Sequence, residues 1–166
     1  MSDKVFLALE WIQNILESNQ VPYQIVGGLA VRMHGGSREV ADIDLYIPKA
    51  QVEKIWPEVS SFISKPLKYY VEEGWDLEYF QLIYCSQKIE IGLSPGSKIY
   101  NSSTGDWVEL GIDYSASVSR PYASLTLPTM SACELIEYKR VLGREVDLID
   151  IRDLNEISAS EDSEYR

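Results

Sequence analysis

Residues 26–47 read VGGLAVRMHGGSREVADIDLYI, and this stretch decides the fold. An apolar strand ends in a Gly27-Gly28 turn that opens a short helix, and a second apolar strand then carries two aspartates, Asp42 and Asp44, around a single isoleucine. Because side chains alternate along a strand, the two aspartates point to the same face. Adjacent carboxylates repel each other unless a cation neutralises them, so the pair predicts a divalent metal site.

The glycine turn is the second candidate site element. A turn that ends a strand and opens a helix leaves backbone N–H groups and the positive end of the helix dipole able to hold a phosphate, although such turns are also common in purely structural roles. Arg38 has two interpretations. Its planar fork of donors can bind phosphate groups, or it can pair with Asp42 or Glu39 and hold the loop.

Composition limits the chain to one domain and disfavours a broad basic surface. With 166 residues, 45% of them hydrophobic, we expect a single domain of residues 1–154 and an acidic, flexible tail of residues 155–166. The formal net charge of −11 argues against extended nucleic-acid binding, because that affinity comes mainly from Lys and Arg. A local basic groove stays open.

Neither a membrane span nor a signal peptide is expected. No apolar stretch approaches the roughly 18 to 20 residues that cross a bilayer, and the N-terminal residues mix polar and apolar types. We therefore expect a soluble, cytoplasmic protein without a membrane partner. The sequence leaves the oligomeric state open.

The spacing of apolar residues and turn signals predicts an α/β (α+β) fold with a mixed, mainly antiparallel sheet of about five strands and helices packed on it. Pro57 falls inside one predicted helix and can kink or split it. Helices are expected over residues 3–18, 29–34, 49–64, 130–142 and 145–154, and strands over residues 22–26, 42–47, 77–84, 88–93, 107–110 and 125–127.

The chain resembles the nucleotidyltransferase superfamily, whose prototype is DNA polymerase β. The likeness lies in VGGLAVRMHG followed by Arg-x-x-x-Asp-Ile-Asp-Leu at residues 38–45, and it is greatest to the small bacterial branches that include antibiotic adenylyltransferases and toxin-type nucleotidyltransferases. It extends to Glu90, which two isoleucines flank on a predicted strand, and covers roughly residues 23–154. A C-terminal set of charged residues also matches: Lys139, Arg144, Asp147 and Asp150.

What the resemblance implies is a polymerase β-like fold and Mg²⁺-dependent transfer of a nucleoside monophosphate from an NTP, such as ATP, to a hydroxyl acceptor, with release of pyrophosphate. Two Mg²⁺ ions are expected in the active complex. The implied metal ligands and catalytic residues are Asp42, Asp44 and Glu90. The implied nucleotide- and phosphate-binding residues are Gly27, Gly28, Arg38 and Lys139.

Two positions depart from the commonest pattern of the superfamily. The turn is often Gly-Ser, with a serine hydroxyl that reaches a phosphate, whereas Gly28 has no side chain, so phosphate binding would rest on backbone amides. The third carboxylate is more usually an aspartate, and Glu90 is one methylene longer. Both departures concern activity rather than fold.

Several of these residues also have simpler interpretations. Lys139 can be an ordinary surface lysine of a helix, and Asp147 and Asp150 can belong to a charged helix face with Arg144. A cluster of aromatic residues can form either an acceptor-binding wall or ordinary packing. The cluster consists of Tyr69, Tyr70, Trp75, Tyr79 and Phe80.

Three alternative functions remain open on sequence grounds. A degenerate member of the same fold would bind a nucleotide or a partner protein without turnover. A toxin of a toxin–antitoxin pair would modify RNA or another macromolecule, which the acidic composition disfavours. A small-molecule modifier would suit an acidic pocket and a cationic acceptor.

Overall fold

The computed structural model describes residues 3–164, and this part of the chain forms five α-helices and nine strands. The helices are α1 (Asp3–Ser18), α2 (Gly27–Met33), α3 (Trp56–Val59), α4 (Ala132–Leu142) and α5 (Glu145–Glu164). The strands are β1 (Gln24–Val26), β2 (Ile43–Pro48), β3 (Ile63–Glu72), β4 (Trp75–Tyr84), β5 (Gln87–Ser94), β6 (Lys98–Asn101), β7 (Asp106–Glu109), β8 (Val118–Tyr122) and β9 (Leu125–Thr129).

These nine strands form one sheet, in the order β7-β6-β4-β5-β2-β1-β9-β8, with β3 paired to β4 beside that path. The pairs β2–β5 and β1–β9 are parallel, and the other pairs are antiparallel. The predicted mixed, mainly antiparallel sheet with helices is confirmed. The predicted count of about five strands is wrong, because β3, β6 and β8 carried no clear alternating pattern in the sequence.

The strands expected over residues 77–84 and 88–93 form as β4 and β5, and they pair as a hairpin. Its two turn residues, Cys85 and Ser86, both have positive φ angles, of 48° and 66°. Two-residue turns with positive φ at both positions match the twist of the flanking strands. The hairpin fixes the register of β5, which carries Glu90.

The predicted helix over residues 49–64 does not form as one element. The chain makes 3₁₀ turns at Lys49–Lys54 and Ser60–Phe62, with the four-residue α3 between them. Pro57 lies at the start of α3, where a residue without an N–H is tolerated, so the helix is split there. The end of the predicted helix instead opens β3, which pairs with β4.

Side chains of β2 and β5 divide between the core and the opposite face of the sheet. Ile43 and Leu45 of β2, and Ile89 and Ile91 of β5, are buried in the hydrophobic core. The residues between them alternate to the other face, because the side-chain period of a strand is two. The same alternation that builds the core therefore places Asp44 and Glu90 on the other face of the sheet.

The two C-terminal helices are joined by a short, well-defined corner. Ser131 caps α4 by accepting a hydrogen bond from the Glu134 N–H at 3.3 Å, and Gly143 ends α4 with a left-handed φ of 60°. The helix α5 continues to Glu164, so its predicted end at Leu154 is wrong. The division into a domain of residues 1–154 and a flexible acidic tail stays a prediction. Across residues 3–164, none of the helices combines the length and the apolar content that a membrane crossing requires.

Candidate functional site

The seven residues predicted to form a site all line one cleft of about 490 Å³. The cleft lies between the polar face of the central strands and the α4–α5 corner. Its walls carry six carboxylates and three cationic side chains. The predicted residues are Gly27, Gly28, Arg38, Asp42, Asp44, Glu90 and Lys139.

Asp44 and Glu90 are neighbours on two parallel strands. Their Cα atoms are register partners in the pairing of β2 with β5, so both side chains extend from the same face of the sheet. On the far side of Glu90, the Gln81 amide of β4 donates a hydrogen bond to Glu90 Oε1 at 3.2 Å. Asp42 precedes β2 and lies on the same cleft wall. Register thus places the predicted third carboxylate directly beside the Asp-x-Asp motif.

The charge on Asp44 is poorly compensated. Its carboxylate reaches the cleft surface but is surrounded by protein, and this burial raises its pKa well above the usual value of 3.8. The negative charge and the hydrogen bond of Glu90, and then the charge of Asp42, raise the pKa further, while Lys139 opposes the shift. Like charges that Lys139 offsets only in part mark a position where a cation would bind favourably.

The donor set at this position suits a hard cation, but the three carboxylates do not form a closed metal cage. Magnesium is usually held by one or two carboxylates together with phosphates and water, which fits the adjacent Asp44 and Glu90. Within residues 3–164, no three Asp, Glu, His or Cys side chains are grouped closely enough to hold a metal between them. The metal-binding role of Asp42, Asp44 and Glu90 therefore stays a prediction.

The backbone of Gly27 lies against the Asp44 side chain. Its φ is +68°, and a Cβ atom at this position would lie 2.8 Å from Asp44 Oδ2, so only glycine fits. The Gly27 N–H donates to the Tyr138 hydroxyl of α4 at 2.9 Å. In this structure the Gly27 amide is thus engaged by protein, and its predicted role in phosphate binding stays a prediction.

Tyr138 was not among the predicted site residues, and only its tertiary contact with the glycine turn identifies it as one. Its hydroxyl meets the glycine turn, and its ring makes an edge contact with Trp75, at 6.1 Å between ring centroids. Burial raises the pKa of the Tyr138 hydroxyl, with a smaller contribution from the charge of Asp44. Tyr138 is therefore neutral, and it connects α4 to the glycine turn and to the cleft wall.

A network of ion pairs around two buried carboxylates forms the opposite wall. Arg38 donates from Nε and Nη2 to the two oxygens of Asp150, at 3.0 and 2.9 Å. Lys139 Nζ lies 3.0 Å from Asp150 and 3.4 Å from Asp147, and Arg144 Nε donates to Asp147 at 2.7 Å. Three cations thus meet two carboxylates, leaving this wall with a surplus positive charge.

The network corrects three of the simpler interpretations. Arg38 pairs with Asp150 rather than with Asp42 or Glu39. Lys139 is only 3% exposed, and Asp147 and Asp150 are fully buried, so none of them belongs to a solvated helix face. The sequence feature that could have indicated this is the spacing of Asp147 and Asp150, since residues three apart lie on the same face of a helix.

Opposing effects act on the pKa of Asp150. Burial raises it, but the hydrogen bond from Arg38 and the charge of Lys139 outweigh burial and leave the pKa below its usual value of 3.8. The same bond raises the pKa of Arg38. Asp150 therefore stays ionised and keeps both cations in place.

Some residues of the aromatic cluster line the cleft, and others serve ordinary packing or lie exposed. Phe80 is buried in the core, and Tyr69 is 57% exposed. Trp75 and Tyr79 line the cleft, where the Tyr79 hydroxyl donates to Glu72 at 2.7 Å and accepts from Lys65. Part of the cluster thus lines the cleft, and Trp75 also packs against Tyr138 of α4.

Gly92 gives the cleft its floor. It lies between Tyr46 of β2 and Tyr79 of β4 in the cross-strand register. A Cβ atom on Gly92 would lie 2.6 Å from the buried Tyr46 ring. The Tyr46 ring therefore covers β5 at this point, and its hydroxyl donates to Ser97 at 2.9 Å.

Replacing Gly92 with alanine is expected to lower the free energy of unfolding by about 1–3 kcal/mol, because the added methyl group overpacks the Tyr46 ring. Gly111→Ala is the matched control, since a Cβ atom at residue 111 meets nothing within 4 Å. Chemical denaturation of both variants measures the difference. Equal stability of the two would contradict the close packing of Tyr46 on Gly92.

Comparisons with known proteins identify the fold through structure alone. No family model matches the sequence, and no curated protein matches it. A Thermotoga maritima protein inferred to be a nucleotidyltransferase matches with a TM-score of 0.68 and 24% identity, over 94% of this chain and 96% of its own.

Two antibiotic adenylyltransferases match over similar lengths. The lincosamide antibiotic adenylyltransferase LnuA, in a lincomycin-bound crystal structure, gives a TM-score of 0.55 at 17% identity, over 90% of this chain and 95% of its own. The antibiotic-resistance factor ANT(2'')-Ia gives 0.59 at 13% identity, over 99% and 95%. The expected resemblance in fold is thus confirmed, and the chain has the nucleotidyltransferase fold.

Proposed function

We propose that the protein is a Mg²⁺-dependent nucleotidyltransferase that moves a nucleoside monophosphate from an NTP to a hydroxyl acceptor and releases pyrophosphate. The observation that carries the proposal is the in-register pair of Asp44 and Glu90 beside the glycine turn, in a cleft whose other wall is cationic. The matching structures are nucleotidyl- and adenylyltransferases, which supports the same reaction class.

The carboxylates would hold the metal. When bound, Mg²⁺ neutralises charge on the triphosphate and on the attacking and leaving oxygens. Asp44 and Glu90 are placed to ligate it, with Asp42 on the adjoining backbone. Glu90, held by Gln81, would also accept the proton of the acceptor hydroxyl.

The cationic wall would hold the triphosphate. Arg38 and Lys139 line the cleft, and their shared partner Asp150 neutralises only one of the two charges. The remaining positive charge would attract a polyphosphate and orient its leaving end away from the carboxylates. Binding the nucleotide between walls of opposite charge would align the α-phosphate with the acceptor.

The test is transfer of label from each of the four α-labelled NTPs to panels of hydroxyl acceptors, with Mg²⁺ or with a chelator. The proposal expects label in an acceptor and pyrophosphate release with Mg²⁺ only. Calorimetric titration of each NTP runs in parallel. Failure of all four NTPs to bind in the presence of Mg²⁺ would overturn the proposal.

A second candidate function has one observation in its favour. The Gly27 amide is engaged by Tyr138, and both oxygens of Asp150 already bind Arg38, so several expected phosphate donors have protein partners. A non-catalytic member of the fold, which binds a nucleotide or a partner protein, is consistent with that arrangement. Tight NTP binding without label transfer to any acceptor would favour it.

The acceptor we propose is cationic. Glu72 and Glu73 line the cleft together with Trp75 and Tyr79. Lys65 neutralises part of the charge of Glu72, and the exposed Glu73 interacts with the charge of Arg144. An acidic and aromatic lining favours an amine-bearing acceptor, because charge attraction and cation–π contact act together.

Glu73→Gln is expected to raise the KM for an amino-sugar acceptor roughly two- to fivefold, with kcat unchanged, since an exposed charge contributes up to about 1 kcal/mol. Glu109→Gln, on exposed β7 outside the cleft, is the matched control. The N-acetylated acceptor should show no difference between the variants. An equal effect on charged and acetylated acceptors would contradict the cationic assignment.

A further inference from the structure

We infer that Arg38 and residue 28 share a single space in the cleft, and that Arg38 supplies from across the loop the phosphate-binding side chain that Gly28 lacks. A Cβ atom on Gly28 would lie 2.6 Å from Arg38 Nη2. The guanidinium therefore occupies the volume that any side chain at residue 28 would need. This inference rests on the proposed function, because it requires a triphosphate in the cleft.

Arg38 cannot easily leave that space. Its Nε and Nη2 donate to both oxygens of Asp150, whose side chain is 1% exposed. Asp150 in turn binds Lys139 at 3.0 Å, so moving Arg38 would disturb a buried network. The clash with a larger residue at position 28 would therefore be relieved only by breaking the bidentate pair.

Arg38 also keeps a donor for a ligand. Its side chain is 31% exposed and lines the cleft, and Nη1 has no hydrogen-bond partner among residues 3–164. A guanidinium fixed on one edge by a carboxylate presents its other edge in a set direction, which suits a phosphate oxygen. The bound chemistry is an inorganic or nucleoside polyphosphate.

The shared space makes a distinctive mutational prediction. Gly28→Ser places a hydroxyl donor where the guanidinium lies, so in the wild-type background it displaces Arg38 and weakens binding. In the Arg38→Ala background the space is vacant, and the same hydroxyl can donate to the phosphate. The effect of one substitution should thus change sign with the identity of the other residue.

Calorimetric titration with inorganic tripolyphosphate and Mg²⁺ tests this without choosing a base. Arg38→Ala and Gly28→Ser are each expected to weaken binding roughly 10- to 100-fold, which corresponds to loss of a charge-assisted hydrogen bond. Adding Gly28→Ser to Arg38→Ala should strengthen binding by about threefold or more. Arg140→Ala, an exposed arginine next to Lys139, is the control and should bind like wild type.

Circular dichroism and thermal unfolding establish that each variant is folded. If Arg38→Ala does not fold, Arg38→Lys replaces it, because the ammonium keeps a partner for Asp150 without the planar fork. If the wild-type protein binds tripolyphosphate but the effects of the two substitutions on binding are additive, the inference is overturned and the proposed function stands. The same holds if Gly28→Ser alone does not weaken binding. Absence of tripolyphosphate binding by the wild-type protein would overturn both.

Discussion

Asp44→Asn is expected to abolish nucleotide transfer, a loss of roughly a thousandfold or more, because a bound metal supplies several kcal/mol of charge stabilisation and each 1.4 kcal/mol is tenfold in rate. The amide keeps the size of the carboxylate but not its charge. Transfer of label from an NTP to an acceptor, in single-turnover conditions, is the measurement. Asp106→Asn, on the exposed strand β7, is the control and should retain full activity.

The same substitution is expected to leave the fold as stable as wild type, or more stable, in the absence of a divalent cation. Burial and Glu90 raise the pKa of Asp44, so the folded state favours its neutral form. That stabilisation is complete below the usual pKa of 3.8 and is lost as pH rises through the higher folded-state pKa. Asparagine is neutral at every pH, so the stability of the variant does not fall in this way as the pH rises.

Addition of Mg²⁺ separates the two roles of Asp44. A ligand that binds only the folded state raises the unfolding temperature, so Mg²⁺ should stabilise wild type and not Asp44→Asn. Undiminished nucleotide transfer by Asp44→Asn would contradict the assignment of Asp44 as a catalytic residue. If Mg²⁺ stabilised both proteins equally, Asp44 would not be a metal ligand, even if the variant had lost activity.

Lys139→Met is expected to lower the free energy of unfolding by about 3–5 kcal/mol, the usual cost of removing one partner from buried ion pairs. Lys139 is 3% exposed and is shared by Asp147 and Asp150, both of them fully buried. Methionine keeps the volume of the side chain but removes the charge. Arg144 and Arg38 still bind one carboxylate each, which favours the lower end of that range.

Chemical denaturation measures this loss, and the adjacent residue provides the control. Arg140 is exposed on α4, so Arg140→Met should change stability by no more than about 0.5 kcal/mol. A similar small change in Lys139→Met would mean that the two arginines alone neutralise Asp147 and Asp150. The buried lysine would then serve ligand binding without contributing to the fold.

The local parts of this fold were predictable from sequence. The strands β2, β4 and β5 and the helix α1 follow from periodicity and turn residues within short windows. The pairing of Asp44 with Glu90 was expected from resemblance, and alternation on two strands suffices to place both carboxylates on one face. These features depend on neighbours that are close in sequence or in register.

The cationic wall was not predictable in the same way. Nothing local distinguishes Asp147 and Asp150 from the charged residues of an exposed helix, and only the docking of α4 and α5 buries them. The partner of Arg38 was missed for that reason, since nearer carboxylates at residues 39 and 42 were equally good candidates. Tyr138 likewise acquired its role from a contact that no periodic pattern encodes.

The two walls of the cleft come from distant parts of the chain, and this has a consequence for how the protein folds. Arg38 and Asp150 are 112 positions apart, and Gly27 and Tyr138 are 111 positions apart. Ordering so long a loop costs entropy before any contact offsets it, which slows folding of such topologies. During synthesis the carboxylate strands emerge well before α4 and α5. A nascent chain therefore carries Asp42, Asp44 and Glu90 without Lys139 and Arg144 until α4 and α5 have been synthesised.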